Sequence, residues 1–512
     1  MNNSREYNAA VDFVDRNVAE GRGGKPAFID STRTITYGEL RDAAARVGPM
    51  LERLGLRRED RIAMMMLDTV DFPILFWGAI RAGFVPIPLN TLLTAEQYHY
   101  ILKDSRAKAL FVSTPLLAVA KTATAGIAAL GSTIVVGEAA DGLACFADLI
   151  ATAKPASEPA ETCADEIAFW LYSSGSTGMP KGAKHIHSSL MATADLYAKP
   201  LLGITADDVC FSAAKLFFAY GLGNAMTFPM SVGATTVLLP ERPTPQSCFA
   251  VLKRAQPTLY FGVPTLYAAM LADPECTPAN GSQRLRWCIS AGEALPEHVG
   301  TEWKKRFGVD ILDGVGSTEL LHIFLSNRPG AIKYGTSGLP VPGYDARLVD
   351  EHDHDLPDEE IGELLVRGPS AAEGYWNQRE KTRRTFAGEW THTGDKYVRG
   401  ADGFYRYCGR TDDMFKVSGL WVSPFEVESA LASHPRVLEA AVVPKEDDDG
   451  LIKPKAFIVL KGGTNGGEDL REALKEHVKR QVGLWKYPRW IEIVEALPKT
   501  ATGKIQRFKL RD

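Results

Sequence analysis

Apolar and polar positions over the first 160 residues alternate between two periods. Tyr37-Gly38-Glu39-Leu40 opens a stretch through Leu51 with apolar residues at helical spacing, and Arg61-Ile62-Ala63-Met64-Met65-Met66 then reads as a strand. Asp71 to Ala82 is again helical, with Asp71 expected as N-cap and Pro73 tolerated in the first turn. Val85 to Leu89 predicts a strand, Ala95 to Lys103 a helix and Ala109 to Val112 another strand. Such alternation implies a largely parallel sheet with helices on both faces. It recurs downstream, with Ala234 to Leu239 and Thr258 to Phe261 as buried strands. From about Thr336 the texture shifts to short alternating strands such as Asp345 to Val349 and Gly362 to Arg367, which predicts a small β-rich subdomain. After Arg410 come a hairpin-like stretch, a helix from Pro424 to Ala432, strands at Val437 to Val443 and Lys455 to Leu460, and a helix from Glu468 to Val482. About a hundred residues with their own apolar segments can fold as a separate α+β domain.

The expected fold class is therefore α/β. A large N-terminal domain of parallel-rich sheets with helices covers residues 1–411 and carries the β-rich subdomain at about 336–411; a small α+β domain covers 412–512. The short polar joint Thr411-Asp412-Asp413 marks the boundary.

Composition narrows the class of function. With 512 residues the chain is too long for one ordinary core, and 45% hydrophobic with 24% charged residues is the balance of a soluble globular protein. A net charge of −5, with no long basic run before the last dozen residues, argues against a nucleic-acid binder. That run holds Lys499, Lys504, Arg507, Lys509 and Arg511, interleaved with Gly503 and Ile505. Met1 to Glu6 lacks the apolar core of a signal peptide, and the most apolar stretch, Ile62 to Leu89, is cut by Asp68, Asp71 and Arg81. A cytoplasmic protein without membrane insertion is expected. Seven cysteines without CxxC spacing fit reduced structural thiols, and His352 and His354 in Glu351-His352-Asp353-His354-Asp355 read as a solvated turn.

The chemistry concentrates in Tyr172-Ser173-Ser174-Gly175-Ser176-Thr177-Gly178-Met179-Pro180-Lys181-Gly182. Glycine lets backbone N–H groups approach an anion, serine and threonine add hydroxyl donors, and Lys181 adds a positive charge. Composition alone also allows a flexible Ser/Gly loop. It is not the P-loop of common NTPases, because Pro180 precedes the lysine and Gly182 follows it. Ile167 to Tyr172 reads as a buried strand presenting the loop at its end.

The loop resembles the phosphate-binding signature of the acyl-adenylate-forming superfamily, which includes acyl-CoA synthetases, peptide-synthetase adenylation domains and firefly luciferase. Four further segments match in order: Gly314 to Glu319, Thr391 to Asp395, Gly409 to Asp413 with Lys416 to Gly419, and Pro498 to Lys504. The resemblance implies an AMP-forming ligase using ATP, Mg²⁺ and CoA. It implies that Ser173, Ser174, Gly175, Ser176, Thr177, Gly178 and Lys181 hold the β- and γ-phosphates, that Thr318 contacts the α-phosphate and that Glu319 binds Mg²⁺. Gly292, Glu293, Ala294, Asp313 and Gly314 would enclose adenine, and Asp395 with Arg410 would hold the ribose. Lys504 would bridge the acyl carboxylate and the α-phosphate during adenylation. Asp412 would be the hinge about which a mobile C-terminal domain rotates, withdrawing Lys504 and bringing Lys416, Ser418, Gly419 and Leu420 to the thioester-forming site.

Lys215 to Asn224 and Glu319 to Phe324 resemble the corresponding segments of bacterial benzoate and hydroxybenzoate CoA ligases, a likeness that places Ala219, Tyr220, Gly316, His322 and Ile323 in the acyl pocket. A small aromatic carboxylic acid, benzoate or a hydroxy- or aminobenzoate, is the implied substrate, as in aromatic acid degradation. A His322 that bonded a ring hydroxyl would favour a hydroxybenzoate, whereas an apolar pocket would favour benzoate. The tail also resembles the target of protein acetyltransferases, which would silence Lys504 by removing its charge. Two alternatives share these motifs: a stand-alone adenylation enzyme loading a carrier protein, and a non-catalytic nucleotide-binding protein of the same fold.

Overall fold

The apolar runs read above become strands of two sheets, one all parallel and one with a parallel centre. The computed structural model describes residues 6–140, 142–173, 179–417, 420–448, 450–461, 466–484, 486–499 and 505–511. Ser174, Gly175, Ser176, Thr177, Gly178, Ser418, Gly419 and Lys504 lie outside the described residues.

The first sheet is all parallel, in the order Val85–Pro88, Arg61–Met65, Ala109–Ser113, Ser132–Val136, Ala144–Cys145. The second has nine strands. Its parallel centre runs Ile311–Gly316, Trp287–Ser290, Leu259–Gly262, Val209–Ser212, Thr235–Val237, Pro26–Ile29, with antiparallel strands at both margins. Helix Tyr37–Arg53 begins at a capping box between Thr36 and Glu39 and buries Leu40, Ala44, Val47 and Leu51, the spacing of one helical face.

One cap differs from expectation. The second helix is Asp71–Arg81, with Val70 at the N-cap and no side-chain cap. The Phe72 N–H is taken by the Thr69 carbonyl at 3.1 Å and the Val70 N–H by Asp30 at 3.0 Å; Asp71 is already helical, and its carboxylate pairs with Arg33. The expected Ala234 to Leu239 strand is also shorter, Thr235–Val237.

Downstream, Asp345–Val349, Ile361–Arg367, Phe386–Ala387, Trp390–Arg399 and Tyr405–Arg410 form an antiparallel sheet. Beyond it a hairpin, Phe415–Val417 with Leu420–Val422, precedes a three-stranded sheet of Val437–Glu446, Ile452–Leu460 and Trp490–Ile493. Helices Pro424–Ala432 and Glu468–Val482 close over that sheet around Val427, Leu431, Val442, Ile458, Leu474 and Val478. The basic tail is anchored rather than solvated: Arg507 bonds Glu428 at 2.6 Å and Arg511 bonds Asp413 at 2.7 Å. Among the described residues no helix is long and apolar enough to cross a membrane, and the seven cysteines are free thiols.

His187, first residue of the His187–Thr193 helix, is buried, and its Nδ1 accepts the Ala9 N–H at 3.1 Å. Burial pushes its pKa down from 6.5 to about 4. The unfolded chain therefore takes the extra proton between these values. The contribution is full above pH 6.5 and is lost as pH falls toward 4. Relative to His187→Gln, wild type should lose on the order of 1 kcal/mol of unfolding free energy per pH unit across that window. Urea unfolding at several pH values measures this; parallel curves for the two proteins would contradict it.

Candidate active site

A two-stranded antiparallel hairpin, Ile167–Ser173 with Lys181–Ile186, flanks the phosphate-type loop and sets Ser173 opposite Lys181. Residues 373–376 run along the outer edge of this hairpin through Glu373 N–H to Lys184 O, Lys184 N–H to Gly374 O and Trp376 N–H to Gly182 O, at 2.8–3.0 Å. That pairing delivers Tyr375 to the same place. Its hydroxyl donates to Glu319 Oε1 at 2.7 Å and accepts from Lys181 Nζ at 3.1 Å, while the ammonium lies 4.3 Å from the tyrosine ring centre. Ser173 Oγ reaches Glu319 Oε1 at 3.4 Å, and Lys181 Nζ stands 3.9 Å from it. Burial pushes the Lys181 ammonium down, opposed by Glu319 and assisted by Lys381 and Arg410. One carboxylate, one ammonium and two hydroxyls thus converge in a half-buried space, a donor set suited to phosphate oxygens and a hard cation. Among the described residues no group of three or more His, Cys, Asp or Glu could hold a metal ion.

Thr318 is held from behind. His185, buried and stacked on Phe169 at 5.1 Å, donates Nε2–H to the Thr318 carbonyl at 2.9 Å. Burial drives this imidazole down to about 4, so it is a neutral donor at working pH.

Asp395 and Arg410, expected at the ribose, meet each other. Arg410 Nη1 donates to Asp395 Oδ1 and to the Thr393 carbonyl, both at 3.0 Å, across the register pair Asp395↔Arg410. Despite burial, Asp395 and Tyr407, with Glu319 adding to them, hold the guanidinium firmly charged. Gly292, Glu293 and Ala294, expected to enclose adenine, follow the Trp287–Ser290 strand, which pairs with the strand bearing Asp313 and Gly314. Leu295 N–H donates to Asp313 Oδ2 at 3.4 Å, and burial lifts the Asp313 carboxyl well above its usual range.

The proposed acyl wall is a cluster of rings. His322 packs 4.3 Å from Phe228, 5.6 Å from Tyr220 and 5.7 Å from Tyr197. Its Nε2–H donates to Asn224 Oδ1 at 3.1 Å and to the Tyr220 carbonyl at 3.3 Å, while the buried Nδ1 has no partner among the described residues. Burial depresses it to about 3, so it carries no charge. The Tyr220 hydroxyl is spent on the carbonyls of Gly262 and Ile289, each 3.2 Å away. Ala219 opens the short Ala219–Leu222 helix beside this cluster, and Gly316 pairs with Ile323. A Cβ on Gly316 would sit 2.4 Å from the His322 carbonyl, so only glycine permits that pairing. Leu321 turns the chain between Glu319 and His322 with a left-handed φ of 66°.

Lys416 and Asp412, the residues expected to act through rotation of the C-terminal domain, are both exposed. Lys416 is exposed on the hairpin with its ammonium 4.8 Å from the Trp421 ring centre, and no hydrogen bond or ion pair among the described residues joins it to the nucleotide residues. Asp412 is exposed, and its carbonyl accepts from Arg511 at 3.1 Å. Sequence reading missed Tyr375 and His185. The Gly374-Tyr375-Trp376 run was the one local hint for the first; nothing local marked the second.

Comparison with known proteins finds relatives over nearly the whole chain. Residues 15–376 match the family described as AMP-binding enzyme, and residues 426–504 match AMP-binding enzyme C-terminal domain. The chain is 63% identical over 510 residues to a 4-hydroxybenzoate–CoA/benzoate–CoA ligase of Rhodopseudomonas palustris, covering 99% of this chain and 94% of that one. It superposes on a benzoate CoA ligase from Burkholderia xenovorans LB400 with TM-score 0.92 at 52% identity, covering 99% of this chain and all of the other. The anthranilate CoA ligase AuaEII, solved with anthranoyl-AMP, gives TM-score 0.94 at 42% identity, covering 99% of this chain and 96% of that one.

Proposed function

The chain belongs to the AMP-binding enzyme family, and on that premise we propose how its residues divide the work of joining an aromatic acid to CoA. It is an ATP-dependent aryl-CoA ligase of the benzoate–CoA ligase type, acting through an acyl-AMP and releasing AMP and pyrophosphate. A carboxylate oxygen attacks the α-phosphorus of ATP and the bond to pyrophosphate breaks. The CoA thiolate then attacks the acyl carbonyl and AMP departs. The observation that carries this reading is the likeness to aryl-CoA ligases over 99% of this chain.

Lys181 and Ser173 meet the β- and γ-phosphates, with the segment Ser174 to Gly178 between them. Thr318, fixed through His185, faces the α-phosphate. Asp395 accepts the ribose hydroxyls while Arg410 orients it, and Gly292, Glu293, Ala294, Asp313 and Gly314 flank adenine. Glu319 would hold Mg²⁺, which when bound would supply positive charge against the pyrophosphate leaving group. Lys504 serves the first half-reaction. Rotation of residues 412–512 about Asp412 then brings Lys416, Ser418, Gly419 and Leu420 forward for the second.

The wall built by Ala219, Tyr220, Gly316, His322 and Ile323 has its Tyr220 hydroxyl and His322 Nε2 committed to protein carbonyls and Asn224, which favours benzoate. The unpartnered His322 Nδ1 favours a second reading, acceptance of a hydroxybenzoate whose O–H would donate to it. AMP release with CoA across benzoate, the three hydroxybenzoates, aminobenzoates, cyclohexanecarboxylate and hexanoate decides; hexanoate as the best acid would sink both. Free CoA as acceptor, without a carrier protein, is tested in the same assay. Acetylation of Lys504 by a protein acetyltransferase would abolish its charge, and intact mass with deacetylase rescue tests that. A cytoplasmic location fits the ATP and CoA it consumes.

Tyr375→Phe removes one donor to Glu319 and one acceptor for Lys181. It should lower kcat/KM for ATP on the order of tenfold, since hydrogen bonds to charged groups are worth about 1.5–3 kcal/mol. ATP–pyrophosphate exchange measures it, and an unchanged value would remove Tyr375 from the phosphate site.

A further inference from the structure

Asp68, which merely interrupts an apolar run in the sequence, is buried at 3% exposure just past the Arg61–Met65 strand of the first sheet. Both of its oxygens stand 3.3 Å from the backbone N–H of Leu216, 148 residues away. Lys215 places its Nζ 4.0 Å from Asp68 Oδ2 and donates to the Leu239 carbonyl on the far side. Burial raises the Asp68 carboxyl to about 6, with Lys215 and the Leu216 N–H opposing.

A buried ion pair is poor at adding stability, because desolvating two charges consumes most of what their attraction returns. This pair sits where it fixes a backbone. The Lys215 carbonyl accepts the Phe218 N–H at 3.0 Å, and the Phe218 carbonyl accepts the Leu222 N–H at 2.8 Å, so the turn at 215–218 runs directly into the Ala219–Leu222 helix. The helix folds back so tightly that a Cβ on Gly221 would lie 2.0 Å from the Lys215 carbonyl oxygen. Any displacement at Lys215 and Leu216 therefore reaches Ala219 and Tyr220 within one helical turn. Through the Tyr220 carbonyl it reaches His322.

We propose that Asp68 and Lys215 are positioning residues for the aromatic acid: together they lock the 215–218 turn to the first sheet and so set where Ala219 and Tyr220 stand at the acyl site. The inference deepens the aryl-acid reading above and rests on it. Among the described residues no hydrogen bond or ion pair joins either to Ser173, Lys181, Thr318, Glu319, Asp395 or Arg410, so their influence is expected on the acid and not on ATP.

The test uses full-length enzyme and steady-state AMP release with CoA, varying benzoate and ATP separately. Asp68→Ala should raise the KM for benzoate by about tenfold or more while the KM for ATP stays within about twofold, the signature of a misplaced substrate wall. Asp68→Asn, whose carbonyl can still accept the Leu216 N–H, should recover most of the loss. If Asp68→Ala does not fold, the apolar pair Asp68→Leu with Lys215→Met replaces it, and the same selective rise in benzoate KM is expected. Unchanged benzoate KM, or equal rises for benzoate and ATP, overturns the proposal. Ala219→Val, which fills the wall directly, separates the two layers of argument. A fall in kcat/KM for benzoate in that variant with Asp68→Ala silent overturns the positioning role alone; silence in both overturns the acyl wall with it.

Discussion

Replacing Lys504 with alanine should slow acyl-AMP formation by on the order of 10²- to 10³-fold, while thioester formation from supplied benzoyl-AMP and CoA stays near wild type. The asymmetry follows from charge. In adenylation a carboxylate must approach a triphosphate, and an ammonium bridging the two is worth most when negative charge builds on phosphorus. In the second half-reaction that repulsion is gone. The chain on either side of this lysine is braced. Lys499 bridges to Ile505, and Gln506 N–H donates to the Pro498 carbonyl at 2.8 Å, which pins the residues flanking 500–504 to one another. Arg507 then ties the tail to Glu428 and, at 3.4 Å, to Asp413, beside the expected hinge. Single-turnover assays of each half-reaction measure the effect, and equal loss in both would remove Lys504 from its assigned role.

Glu319→Gln should lower kcat/KM for ATP by on the order of 10²-fold and shift the Mg²⁺ requirement to higher concentration. Glutamine keeps the length of the side chain and can still accept from Tyr375, so the variant isolates the charge. Its loss removes the one carboxylate that Lys181, Tyr375 and Ser173 jointly orient. Excess Mg²⁺ should restore part of the rate, because the phosphates still bind the ion. Pyrophosphate release across a Mg²⁺ titration reads both effects. An unchanged metal dependence would mean that Glu319 does not ligate the ion.

Which features could be read from sequence depended on how local their causes were. Helix Pro424–Ala432 matches its expected span because its signals are neighbours: Ser423 caps the Glu426 N–H and Pro424 opens the first turn. Asp71 is not the cap because the helix starts one residue earlier, with the Phe72 N–H taken by the Thr69 carbonyl, and its carboxylate goes to Arg33, a partner that no window around Asp71 contains. The segments proposed for the nucleotide stood out because glycines and hydroxyls crowd into short motifs. Tyr375, His185 and Asp68 did not, since each acts on a residue more than 50 positions away and carries no motif of its own. Whether the polar groups of the acyl wall were free or committed also lay beyond the sequence. Asn224 and two strand-end carbonyls settle that for His322 Nε2 and the Tyr220 hydroxyl, and both depend on sheet packing.

The claim beneath all of this is that the protein joins two anions at phosphorus before CoA takes part. Purified enzyme given benzoate, ATP and Mg²⁺ without CoA should release pyrophosphate in a burst stoichiometric with enzyme and retain benzoyl-AMP, which added CoA then converts to benzoyl-CoA and AMP. Absence of both pyrophosphate and benzoyl-AMP under those conditions, or release of ADP in their place, would contradict it.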